Sequence, residues 1–212
     1  LQKHRNSLFQ TTAILLGQSG LLTEGDNKHE DGLWEEYCFM QKKFSLKPIQ
    51  GSLWKKARMR PQSAPEVRIR QFAHLIYQSE FLFSQLMEAQ TTEKMVELLS
   101  IQYDDESAYS RVQRPLPIGK RSIDILLINT VIPYRYAYAQ SESIKDAIQW
   151  LNNIPKEDNT IIRQWTMLGQ EIRSAADTQA LIHLYQNYCQ PHLCFNCHVG
   201  YQVFGQQQLS LF

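Results

Sequence analysis

Apolar residues along this chain recur at the 3.6-residue spacing of helices, and the two-residue alternation of half-buried strands is nearly missing. Residues 6–17 read as a first helix stopped by Gly17 and Gly20, and residues 32–44 as a second that ends before Pro48. Residues 45–60 have no period and read as an irregular loop. Ser63 and Glu66 then carry the S-x-x-E spacing of a capping box, with Pro65 in the first turn, so a long helix is expected from there to about Ala89. Its Ile69, Phe72, Ala73 and Ile76 fall at i, i+3, i+4 and i+7 and present one stripe to a core. Thr91 or Thr92 can cap a short helix through Leu99, and residues 103–119, with Pro115 and Pro117, read mostly as loop.

Residues 122–138 have no polar face, a pattern shared by buried strands and buried helices; their length favours a helix, kinked at Pro133, with a freed carbonyl that Asn129 or Thr130 can satisfy. Ile144, Ala147, Ile148 and Leu151 form the next stripe, ended near Pro155, and Ile161, Ile162, Trp165 and Leu168 the one after. Asp177 can cap a helix bearing Leu181, Leu184, Tyr185 and Tyr188. Residues 201–212 read as a short extended tail. The expected fold is all-α: one domain over residues 1–212, of about seven to nine helices, with one long irregular loop containing Arg and Pro.

Composition adds limits. With 212 residues, 43% of them hydrophobic, the chain can bury one sizeable core. The longest apolar run, residues 123–133, contains Asp124 and Asn129 and is far short of the roughly 20 residues that cross a bilayer, so no membrane association is expected. Four Cys without a framework to staple the fold point to a reducing, cytoplasmic location. Because the chain begins at Leu1 with no initiator and no leader, it is expected to be a piece of a longer protein.

Charge is uneven. The formal net charge is +1, yet residues 42–70 hold nine basic side chains against Glu66 alone. Within that segment Lys55, Lys56, Arg58, Arg60 and Arg68, beside Trp54, form a candidate phosphate or nucleic-acid site, because guanidinium forks and the unpaired N–H groups of a helix start can converge on one anion. The competing expectation pairs Arg60 and Arg68 with the acids of residues 30–36, which would lock the loop internally and make the chain a structural or protein-interaction domain.

The second candidate is Cys189-x4-Cys194-x2-Cys197. Thiolates at this spacing can reach one tetrahedral ion, with His192, His198, His183 or Cys38 as a fourth ligand, so a structural zinc is one reading and an iron–sulfur cluster a further one. Thiols packing the end of the last helix are the plain alternative. Asp104, Asp105 and Glu106 read as a solvated turn, and Glu157, Asp158 and Asn159 as a helix start. No nucleotide-binding loop, nucleophile elbow or zinc-protease motif occurs, so the chain carries no complete catalytic motif.

Several stretches together resemble one family, the bacterial proteins catalogued as domain of unknown function 2851. They are Leu15-Leu16-Gly17-Gln18-Ser19-Gly20-Leu21-Leu22, Arg58-Met59-Arg60-Pro61 followed by Pro65, Arg68, Gln71 and Ala73, Asn129-Thr130-Val131-Ile132-Pro133 with Ala137-Tyr138, Glu157 and Asn159 before Trp165, Ala176 with Gln179-Ala180-Leu181-Ile182, and Tyr188-Cys189, Cys194, Cys197 and Gly200. Ser63, Ala64 and Ala139 depart from the family's pattern. The resemblance implies that this chain is the C-terminal half of a protein whose own N-terminal domain is its partner. It adds Gln71 to the candidate phosphate-binding set and marks Cys189, Cys194 and Cys197 as family positions. It implies no assigned activity. A module that supports or delivers nucleic acid to that N-terminal domain is the leading functional expectation, and one that lends groups to a shared catalytic site is another.

Overall fold

The computed structural model describes residues 7–22, 28–55, 57–103, 106–138 and 144–209; His4, Glu24, Asp26, Lys56, Asp104, Asp105 and Ala139 lie outside them. Among the described residues the fold is all-α, as the periodicity predicts, with one isolated bridge between Pro155 and Ser174 in place of any strand. The chain forms two compact units, residues 1–123 and 124–212, and the division falls inside a helix.

In the first unit, α1 (Leu8–Gln18) begins where the Ser7 side chain accepts the Gln10 amide at 3.3 Å, which satisfies one of the orphan donors of a helix start. It packs against α2 (Lys28–Phe44) and α3 (Pro65–Gln78). Gly17 does not stop α1. It lies under the Tyr37 ring, where a Cβ would come within 2.1–2.5 Å of ring atoms, so the missing side chain is what lets α1 and α2 approach. Leu8, Phe9, Leu16, Leu33, Tyr37, Ala73 and Val112 close the core around this crossing. Burying each of the larger side chains contributes about 1.5–3 kcal/mol.

α3 departs from expectation at both ends. The Ser63 capping box does not form: Pro61–Ser63 is a separate 3-10 turn, Ala64 is the N-cap without a side-chain bond, and Pro65 opens the helix. At the other end Ser79 is extended, so the expected long helix divides into α3 and α4 (Leu82–Glu88). Gln78 explains the break, since its side chain donates to the Ser100 carbonyl and accepts the Gln102 amide, both at the end of the next hairpin. α5 (Thr92–Leu98) is capped by Thr91, as its sequence predicts. α6 (Lys120–Leu126) follows the Pro-containing loop.

In the second unit, the apolar run is helical. A π-helical segment, Leu127–Val131, leads into α7 (Ile132–Tyr138), and Asn129 donates its side-chain amide to the Ile125 carbonyl at 3.1 Å. α8 (Ile144–Asn152) places Trp150 under the guanidinium of the fully buried Arg135, 4.1 Å from the ring centroid. α9 (Thr160–Met167) is capped by Asn159. α10 (Ala175–Leu184) is capped by Ser174, not by Asp177, which instead completes the capping box from the third helical position. Glu157 accepts from Thr178 and Gln179 and so ties the preceding turn to α10. The tail is helical, not extended: α11 (His198–Leu209) starts directly after the Cys-bearing turn. No helix of the described residues is long and apolar enough to cross a membrane.

Candidate functional site

The basic candidates divide into two groups. Lys42, Lys43, Lys47, Lys55, Arg58 and Arg60 are all exposed. Among the described residues no carboxylate pairs with any of them; ion pairs lie elsewhere, between Lys94 and Glu97, Arg114 and Glu106, Arg163 and Asp158, and Arg173 and Glu171.

Lys42 and Lys43 end α2, and the loop carrying the other four is tied down at its base. The Ile49 amide donates to the Gln18 carbonyl at 2.9 Å, and the Trp54 indole N–H donates to the Ser19 carbonyl at 2.8 Å. Gly20, at φ +68°, and Gly51 bring two backbones together: a Cβ on Gly20 would sit 2.3 Å from the Ile49 carbonyl oxygen, and one on Gly51 the same distance from that of Gly20. Arg58 itself has φ +62°, a left-handed conformation uncommon for a side chain of this size.

Arg68 and Gln71 serve a different purpose. The Arg68 guanidinium donates to Gln71 Oε1 and to Ser122 Oγ, each at 3.0 Å. Gln71, buried in α3, donates through Nε2 to the Leu116 carbonyl at 2.9 Å and to the Pro117 carbonyl at 3.3 Å. These two side chains therefore fasten the Pro-containing loop to α3 through neutral partners. Glu36, one of the acids expected against the arginines, accepts from Gln10 instead.

A buried imidazole lies in the same unit. His74 meets the Gln102 carbonyl with Nε2 at 2.7 Å, which assigns the proton to that nitrogen, and Tyr109 Oη lies 3.3 Å from Nδ1. The Tyr109 ring stacks on it at 10°. Burial pushes the His74 imidazole below its ordinary range, more than the Gln102 bond raises it. It is a neutral, satisfied core histidine. Sequence reasoning could not find this because both partners come from the loop after α5.

The thiols do come together. Burial pushes the Cys189 thiol up, and Cys197 and Cys194 push it further. The turn is closed by Leu193 N–H to Tyr188 O at 2.8 Å and Cys197 N–H to Cys194 O at 3.2 Å, and Gly200 lies so near the Cys194 carbonyl that a Cβ would reach within 2.2 Å of it. All three are free thiols, with Cys197 buried. Among the described residues no three His, Cys, Asp or Glu are arranged to hold a metal ion, and the raised Cys189 pKa disfavours the thiolate form of that side chain.

Fold and site together define an all-α protein with an exposed, anchored basic loop. The chain belongs to the family described as protein of unknown function (DUF2851), whose model matches residues 1–160. The match includes the Arg58–Pro61 and Asn129–Pro133 stretches and ends before the Cys cluster. No curated protein and no solved structure matches the chain.

Proposed function

We propose that this chain is a non-catalytic binding module that holds the phosphate backbone of a nucleic acid on the exposed cations of residues 42–60, in support of a further domain of the same protein. The observation that carries this reading is the exposure of Lys42 and Lys43 in the last turn of α2 and of Lys47, Lys55, Arg58 and Arg60 on the loop that follows, whose base is fixed by Trp54, Gly20 and Gly51. Cations on a pre-formed loop lose less conformational freedom on binding than cations on a floppy one. Arg guanidinium forks suit phosphate oxygens, and an acid-poor surface attracts a polyanion from a distance. The alternative of a loop locked by internal ion pairs has less support, since Arg68 bonds to neutral groups and Arg60 pairs with no described carboxylate.

Fluorescence anisotropy with a labelled oligonucleotide at low salt tests the reading. The Arg58→Ala/Arg60→Ala protein is expected to bind about tenfold or more weakly than the unaltered chain. Failure of the unaltered chain to bind any nucleic acid at low salt refutes the proposal.

A further inference from the structure

We infer that the nucleic acid held by this loop is single-stranded, with Phe39 and Phe44 at the end of α2 as the surface on which its bases stack. This inference rests on the phosphate-binding reading above and adds the class of polymer. α2 buries its apolar stripe, Leu33, Tyr37 and Met40, in the core. Phe39 is nevertheless 57% exposed and Phe44 41% exposed. Lys43 joins them: its Nζ lies 5.5 Å from the Phe39 ring centroid and 5.4 Å from that of Phe44. Two rings and a cation thus share one surface at the point where the basic loop begins.

That combination discriminates between polymers. A duplex keeps its base faces inside its own stack and offers this surface only phosphates, whereas a single strand offers phosphates and base faces together. Stacking on aromatic side chains tolerates any base, so such a surface requires no particular sequence. An anionic lipid surface would engage the same charges, but helices that lie on membranes turn their apolar stripe outward, and α2 turns its stripe into the core.

The test uses the whole chain with three probes at low salt: a labelled oligothymidylate of about 20 nucleotides, a mixed-sequence duplex of similar length, and phosphatidylglycerol vesicles. The expected result is tighter binding to the single strand than to the duplex. Phe39→Leu/Phe44→Leu, with its helical circular dichroism unchanged, should weaken oligothymidylate binding about tenfold and leave duplex binding as it was. Equal binding of both polymers, or no effect of the Phe changes while Arg58→Ala/Arg60→Ala still weakens binding, overturns this inference and leaves the phosphate reading standing. Binding to neither polymer, or to vesicles alone, overturns both.

Discussion

Residues 42–60 and residues 65–74 are both rich in polar side chains, yet the first group faces solvent and the second works inside the fold. Arg58 and Arg60 extend from a loop with no described acid beside them, while Arg68, eight residues further on, is spent on Gln71 and Ser122. The contrast teaches that a run of basic residues is not a site until the partners of each cation are known. Charge alone groups Arg58, Arg60 and Arg68; hydrogen bonding separates them.

Mutations can sharpen or break this division. The largest effect is expected in the core beneath the loop: Tyr37→Ala removes the ring packed on Gly17 and should cost about 3–5 kcal/mol in urea unfolding, whereas Leu53→Ala, 70% exposed on the loop, should change stability by less than about 0.5 kcal/mol. Gln71→Leu comes next. It strips the Leu116 and Pro117 carbonyls of their donor and Arg68 of an acceptor, at a cost of about 1–3 kcal/mol, and should leave oligonucleotide affinity unaltered under conditions where the protein stays folded. Arg58→Ala/Arg60→Ala should do the reverse, with a wild-type urea midpoint and lost binding. If Gln71→Leu weakens binding as much as the arginine pair does, the division is wrong.

The smallest effect is a pH dependence. His74 is held neutral, with its folded pKa below the ordinary 6.5, so its contribution is fully present above pH 6.5 and is lost as the pH falls from there through the folded pKa. Urea midpoints measured between pH 7 and pH 5 should therefore decline, and His74→Gln should flatten that decline. An unchanged slope in the variant would assign the acid sensitivity to other groups.

Much of the fold was legible because helix signals are local. Thr91 and Asn159 cap the helices they precede, and the apolar residues of α1 and α2 face the core. What escaped depended on distant chain. The break at Ser79 follows from Gln78 reaching Ser100 and Gln102, the role of Arg68 from Ser122, and the burial of Gly17 from Tyr37. The family was recognisable from its motifs, and residues 1–160 bear that out. For the candidate site, sequence marked a basic segment without showing which of its cations are exposed, because exposure is a property of packing. The thiols were legible as a cluster from their spacing, whereas the burial of Cys197 is set by packing.

The salt dependence of binding tests the central claim most directly. If exposed cations of residues 42–60 neutralise three to six backbone phosphates, the logarithm of the association constant for oligothymidylate should fall against the logarithm of salt concentration with a slope of roughly −2 to −4. Arg58→Ala/Arg60→Ala should make that slope shallower by about one or more. A slope near zero, or one that the arginine changes leave untouched, would contradict the account.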